Sequence, residues 1–332
     1  MYYYHVLVET FVPFDLLTYS SETELAVGQL VRVGVRKREI LGIIIKVSQS
    51  DPEFSDKIKP VMQIMPFVFA SESLNFLSLF SYNTFNNKHA VCEALCTPLR
   101  NLNTKDWSAV SSPTSKQALH NTNITTPVFY REKETWVRIK YIIRSLISQP
   151  GSRQIAIICP EKSIVKKIIA QLQREFVDTV VHQYFGDKSK SSRTTVTALI
   201  AQDSTTKPNI VIGTRAAVFL PFSHLTALLM IDEANPFYIQ EQNGLYYDTR
   251  DAVFFLSQLF SSQLFFVSIL PSVRLHSFYP ENVLNVNTTN LPQNSENAPQ
   301  LKVYEQNRRD LFFDLFSNEI LNDIEVTYSE GQ

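Results

Sequence analysis

No apolar run in this 332-residue chain approaches the ~20 residues that a membrane-crossing helix needs; the stretches at 227–231 and 264–270 are far too short. A spanning segment is therefore not expected. The N-terminal stretch "MYYYHVLVETFVPF" has no basic region ahead of an apolar block, so no signal peptide is expected and a cytoplasmic protein is the default. Cysteine is scarce, with three in all. Cys92 and Cys96 stand four apart on a predicted helix, and no second Cys or His pair follows at zinc-site spacing, so they are read as small core residues. Cys159 ends an apolar strand and reads the same way; no metal and no cofactor are expected. Charge of one sign is lacking too: the formal net charge is -1, which excludes a chain-wide basic field and leaves nucleic-acid contact to local patches. Finally, none of the eight glycines is followed by lysine, so the Gly-Lys step of a phosphate-cradling P-loop is missing.

What is present is a globular composition, 44% hydrophobic, 12% aromatic and 19% charged, on a chain long enough for two cores. Over residues 1–100, "HVLVET", "QLVRVGV", "EILGIIIKV" and "PVMQIM" are short segments rich in β-branched residues, which predicts a small β-rich barrel of the OB-like kind or a curled sheet. "ESLNFLSLFSYNTF" and "HAVCEALCTPLRNL" follow with helical spacing and are expected to close it. Residues 101–126 are rich in Ser, Thr and Asn and read as a linker. From Pro127 to about residue 290 strands alternate with helices, and several strands are apolar throughout. That predicts a doubly wound, mainly parallel α/β sheet with both faces covered. Residues 291–332 read as a tail, with a terminal helix over "DLFFDLFSNEILNDI".

Two patterns carry chemistry. "LLMIDEANPF" is a strand that delivers Asp232 and Glu233 to its C-terminal end, the place where many nucleotide hydrolases hold Mg²⁺. Arg32, Arg36, Lys37 and Arg38 form the strongest local cationic cluster, suited to phosphate contact with counterion release, or to a charged turn kept soluble. A second basic run, "KSKSSR" at 188–193, fits a solvated loop equally well. Tyr2, Tyr3 and Tyr4 offer stacking surfaces, against the reading that they pack on the barrel.

In this order the chain resembles the primosomal protein N′ (PriA) family of replication-restart helicases. The resemblance rests on "VPFDLLTY" and "GQLVRVGVRKREILGIIIKV", then "PEKS", "VIGTRAAVFLPF", "IDEA", "YIQEQNGLYYDTRDAV" and "LPS". It implies a 3′-end DNA-binding domain followed by a first, RecA-like helicase lobe. It further implies that Phe14 and Asp15 contact a terminal nucleotide and that Lys59 neutralises phosphate. Thr214 and Arg215 then meet DNA at a strand end, and an aromatic-rich loop keeps Gln240, Tyr246, Tyr247, Arg250 and Asp251. Arg36 stands where the family has a pocket glycine. The family's winged-helix module and second lobe have no counterpart in these 332 residues.

The nucleotide motifs depart further. The P-loop position reads "VFYREKETWVRIK", without glycine. The family's Asp-Glu-Glu-His reads Asp232, Glu233, Ala234, Asn235, and its Gly-Ser-Ala-Thr-Pro reads Val267, Ser268, Ile269, Leu270, Pro271. The expectation is a DNA-binding, helicase-inactive relative, with Asp232 and Glu233 vestigial, whose partners are a DNA fork or 3′ end and replication-restart or other replisome proteins. The rival expectation is a non-catalytic protein-interaction scaffold that retains the helicase-lobe fold.

Overall fold

The computed structural model describes residues 1–48, 57–100, 127–131, 135–148, 154–177, 179–185, 209–241, 244–269, 271–278, 311–312, 316–317, 322, 325–326 and 329. Sequence and contacts divide the chain into two units, Met1–Asn287 and Thr288–Gln332. The expected linker at 101–126, the basic run at 188–193 and a helix expected at about 194–202 lie outside the described residues.

Alternating β-branched residues give β1 (Tyr2–Val8), β2 (Leu17–Ser21), β3 (Gln29–Val35) and β4 (Arg38–Val47), joined by two short strands, β5 (Lys59–Pro60) and β6 (Gln63–Val68). Their order in the sheet is β5-β2-β1-β4-β3-β6, antiparallel except where β5 runs parallel to β2. The two edge strands, β5 and β6, are separated in the chain by two residues only. Val61 N–H donates to Ser20 O at 2.8 Å and Met62 N–H donates to Arg32 O at 3.0 Å. A chain that pairs with both edges within so few residues forces the sheet to curl until its edges meet, which removes the open edges a flat sheet would expose. Alternation then sorts the side chains: Tyr4, Val6, Val8, Val31, Val33 and Ile44 fill the barrel, while Leu7, Leu30, Leu41 and Ile43 point outward to a second core.

Two helices cover that outer face, α1 (Ser71–Thr84) and α2 (Lys88–Arg100). In α2 the buried stripe is Val91, Cys92, Leu95, Cys96 and Leu99. The two thiols lie 4.0 Å apart, and the Cys92 thiol reaches Leu7 O at 3.5 Å. Hydrogen bonding to Cys92, and then burial, push the Cys96 thiol well up, which keeps it protonated. Both behave as core residues.

The second sheet comes from β7 (Val128–Arg131), α3 (Thr135–Ser148), β8 (Gln154–Ile158), α4 (Lys162–Glu175), β9 (Val180–Tyr184), β10 (Asn209–Gly213) and β11 (Leu225–Ile231). A small ladder of β12 (Ile239–Gln240) and β13 (Tyr247–Asp248) leads to α5 (Thr249–Leu259), β14 (Gln263–Ser268) and α6 (Val273–Phe278). All neighbours in the order β7-β14-β11-β8-β10-β9 are parallel. As the uniform apolarity of "QIAII" and "NIVIG" predicted, both faces are buried. α3 and α4 cover one face through Ile139, Ile143, Val165 and Leu172. On the other face α5 supplies Val253 and Leu256, and α1 from the barrel unit supplies Phe76 and Phe80. The fold class read from sequence is thus what the structure has, a curled barrel-like sheet beside a parallel RecA-like sheet.

The barrel is held on the lobe by four rings. Phe76 and Phe80 of α1 meet Phe219, from the short 3-10 turn Arg215–Phe219, and Tyr247 of β13. Phe80 lies 5.4 Å from Phe219 and 5.5 Å from Tyr247, both edge-to-face, and Phe219 lies 5.3 Å from Tyr247. Ser73 adds a hydrogen bond to Phe222 O at 3.3 Å.

In the C-terminal unit, β15 (Leu311–Phe312) pairs antiparallel with β16 (Phe316–Ser317), where the expected terminal helix was to begin. A run of apolar pairs split by one acid satisfies a strand period as well as a helical one, and the period alone does not choose. Among the described residues no helix is long and apolar enough to cross a membrane.

Phe80→Ala is expected to cost about 3–5 kcal/mol, the usual range for a buried phenylalanine, and to split one unfolding transition of the barrel and lobe into two. Urea denaturation followed by near- and far-ultraviolet circular dichroism reads both; a single transition shifted by less than about 1 kcal/mol would show that the rings do not couple the two sheets.

Candidate functional site

Strand order decides which polar loops meet. Because β1 and β4 are antiparallel neighbours, the β1–β2 loop at residues 9–16 and the β3–β4 turn at residues 36–37 lie at the same end of the barrel. The loop presents Phe14, 66% exposed, and Asp15. The turn presents Arg36, Lys37 and Arg38, all exposed. Arg36 takes φ 53°, the left-handed region that glycine enters without cost, so the position the family resemblance assigned to glycine does have a glycine-like backbone here. Arg32 sits half-buried within β3, and Lys59 lies on the outer edge strand beside Tyr19, away from the loop end of β1. The structure therefore groups Phe14, Asp15, Arg36, Lys37 and Arg38 and leaves Lys59 apart.

Two residues that sequence reasoning did not single out hold this end in shape. Lys88 Nζ donates to Asp15 Oδ2 at 2.7 Å, and that hydrogen bond, with the ammonium charge, draws the Asp15 carboxyl below its ordinary range. His89 is buried between two strand ends: one ring nitrogen lies 2.8 Å from Val8 O and the other 3.0 Å from Phe14 O. The signal was "NNKH", which caps the start of α2: Asn87 Oδ1 accepts the His89 N–H at 2.8 Å.

At the strand ends of the lobe, Thr214 precedes the 3-10 turn and Arg215 begins it. Arg215 Nη1 donates to Phe237 O at 2.8 Å and to Ile239 O at 3.1 Å, so this guanidinium fastens the segment entering the aromatic-rich loop. That loop touches the barrel unit directly. Asn86 Nδ2 donates to Tyr246 O at 2.6 Å, and the Tyr246 N–H donates to Asn86 Oδ1 at 2.9 Å. Arg250 is drawn inward instead: its Nε lies 2.8 Å from both Asp248 oxygens and its Nη1 donates to Glu233 O at 3.3 Å.

The two acids that end β11 are bound by the protein itself. Asp232, with φ 53°, accepts from Asn235 Nδ2 at 3.0 Å and from Ser268 Oγ at 3.4 Å. Asn235 also accepts the Phe237 N–H at 3.0 Å and so caps the next turn. Glu233 is 1% exposed and its Oε1 accepts the Ser272 N–H at 2.5 Å. Burial raises the Glu233 carboxyl above its usual range, partly offset by that hydrogen bond. Beside it lies a cavity of about 220 Å³, walled by Phe254, Phe266 and Leu275 and rimmed by Arg250, Asp251 and Arg274. This is below the roughly 300–1,000 Å³ usual for small-molecule sites.

At the P-loop position the connection is short. β7 ends at Arg131 and α3 begins at Thr135, which leaves Glu132, Lys133 and Glu134 between them, outside the described residues. The Gly-x-x-x-x-Gly-Lys pattern of a phosphate-wrapping loop has about four residues between its glycines, and three residues separate β7 from α3.

Comparison with known proteins bears on the barrel first. Residues 5–96 match the family model of the PriA 3′DNA-binding domain (3′BD). The chain is also 22% identical over 291 residues to the replication restart protein PriA of Helicobacter pylori, covering 85% of this chain and 45% of that protein. It is 24% identical over 299 residues to the replication restart protein PriA of Rickettsia prowazekii, covering 85% and 43%, and 24% identical over 285 residues to that of Rickettsia conorii, covering 79% and 41%. The chain spans less than half the length of each of these relatives.

Glu233→Gln keeps an acceptor for the Ser272 N–H and removes the ionisable group. Since the folded carboxyl is raised above its unfolded value, the wild-type native state favours the protonated form, and ionisation costs stability as pH rises through the folded value. The variant's melting temperature is expected to match the wild type near pH 4 and to exceed it increasingly toward about pH 8. Thermal unfolding across that range decides; a constant difference would show that Glu233 does not titrate with folding.

Proposed function

We propose that this PriA-family chain binds the 3′ end of a DNA strand at the loop end of its barrel, and that its lobe does not hydrolyse ATP. The observation that carries the first part is the exposed Phe14–Asp15 pair, inside the segment that matches the 3′DNA-binding domain. A carboxylate repels phosphate, so its use against DNA is selective: it accepts a hydrogen bond from a terminal 3′ hydroxyl, which an internal nucleotide lacks. Arg36, Lys37 and Arg38, at the same end of the barrel, supply the sequence-independent phosphate attraction that a chain of net charge -1 otherwise lacks. Lys88 then serves as the resting partner of Asp15 and turns to phosphate when a strand end arrives.

Three features support an idle lobe. Three residues, Glu132, Lys133 and Glu134, separate β7 from α3, with no glycine and two acids among them. Asp232 is bound to Asn235 and Ser268 rather than standing clear for Mg²⁺. Glu233, the residue placed to polarise water, is buried against Ser272. On this reading the role is recognition of branched or 3′-ended DNA during replication restart, with restart or other replisome proteins as partners. The second reading, a protein-interaction scaffold, draws on the closed Asp15–Lys88 pair and on Arg36 in a glycine-like position.

A fork with a free nascent 3′ hydroxyl is expected to bind more tightly than one blocked at that position. Asp15→Ala should weaken the free end by roughly tenfold to a hundredfold, the value of a charge-assisted hydrogen bond, and leave the blocked end unchanged. Reversing Arg36 and Lys37 to glutamate should weaken both forks and flatten the salt dependence by about two phosphate contacts. Equal affinity for the two forks in the wild type would remove the pocket reading. For the lobe, DNA-stimulated phosphate release should stay at background; turnover abolished by Asp232→Ala would overturn the inactive reading.

A further inference from the structure

We propose that the turn between α1 and α2 is a stacking path that carries single-stranded DNA from the barrel mouth to the aromatic-rich loop of the lobe. The inference rests on the reading that the barrel mouth takes a strand end, and it adds where the rest of that strand runs. Phe85 ends α1 with φ 54° and its side chain is 96% exposed. A non-glycine residue in that conformation is strained, and burial of the ring does not offset the strain. Tyr82, one helical turn earlier, is 81% exposed. Asn86 follows Phe85 and grips both backbone polar groups of Tyr246, holding a second exposed ring, 59% accessible, against the same turn. Two residues further on, Lys88 pairs with Asp15, and His89 holds the carbonyl of Phe14. Phe11, 73% exposed, sets its ring edge-on to His89 at 6.2 Å.

Residues 85–89 therefore link Phe11 and Phe14 at one end with Tyr246 at the other. Among the described residues no ring–ring contact joins any two of Phe11, Phe14, Tyr82, Phe85 and Tyr246. They are separate platforms, interleaved with the amides Asn86 and Asn87 and the ammonium of Lys88. A protein-docking core is a contiguous apolar surface depleted of lysine, which this strip is not. Unpaired bases each offer a π-face to one aromatic ring, and amides and ammonium groups suit the backbone between them. In a duplex the faces are already stacked on each other, so a single strand is the occupant that fits. The whole barrel side of the strip, residues 11–89, lies within the stretch that matches the 3′DNA-binding domain.

The test uses the full chain and oligothymidylate carrying a 5′ fluorophore, in lengths of about 3 and about 12 nucleotides, within the range of single-strand sites. In the wild type, anisotropy should show tighter binding of the longer strand. Phe85→Ala and Tyr246→Ala should each weaken the longer strand by about tenfold, one lost stack, and leave the shorter one unchanged. Phe85→Tyr should restore binding where Phe85→Leu does not. Both positions of substitution are exposed, so melting temperatures should stay at or above the wild type. Unchanged affinity for the longer strand in both alanine variants would overturn the path, and full affinity in Phe85→Leu would reassign the strip to an apolar protein partner. If free and blocked 3′ ends bind alike while the alanine variants still lose the length dependence, the pocket fails and the path stands. If no oligonucleotide binds, both fail.

Discussion

The packing of Phe76 and Phe80 against Phe219 and Tyr247 decides how the rest of the molecule is arranged. Helix α1 has two duties. It covers the outer face of the barrel through the core that contains Leu7 and Ile43, and it completes the second helical layer of the parallel sheet beside α5. A parallel sheet needs both faces covered, and α5 with α6 is not enough to shield one of them. Borrowing α1 from the barrel unit solves that shortage. It also brings the α1–α2 turn against the aromatic-rich loop, so that Asn86 and Tyr246, 160 residues apart in sequence, form a two-way backbone clasp.

In a motor, the acids that end a strand such as β11 report the presence of phosphate and Mg²⁺ to the neighbouring loops. Here each acid has an internal partner: Asn235 ties Asp232 to the following turn, and the Ser272 N–H donates to Glu233. Arg250 joins Asp248 to the Glu233 carbonyl, and Arg274 bridges Asp248 and Asp251. The result is a crosslinked end of the sheet in which these side chains are held by partners within the chain.

Much of the fold was legible. β-Branched runs near residues 5, 30 and 40 marked the barrel, and uniformly apolar runs such as "QIAII" marked buried parallel strands, because period and burial are written directly in the side chains. Strands β2 and β5 were not seen: "LTYSS" is half polar and Lys59–Pro60 is only two residues long. Their existence depends on a partner strand rather than on their own pattern. That none of the glycines is followed by lysine is read from the sequence directly.

The site was legible in part. Phe14 and Asp15 could be named from a short string, and Arg36 from its charged turn. Lys88, His89 and Asn86 could not, since "NNKH" reads locally as a helix cap. Sequence alone determined which residue types were available: the acid in the β1–β2 loop, the basic turn and the buried strands. Tertiary structure alone decided which of them meet. Antiparallel pairing of β1 with β4 put residues 9–16 and 36–37 at one end, and burial of α1 against two sheets brought Asn86 to Tyr246. The reason is physical: propensity and periodicity act over a few neighbouring residues, whereas a hydrogen bond or ion pair between distant residues exists only after the apolar surfaces beneath them have been removed from water.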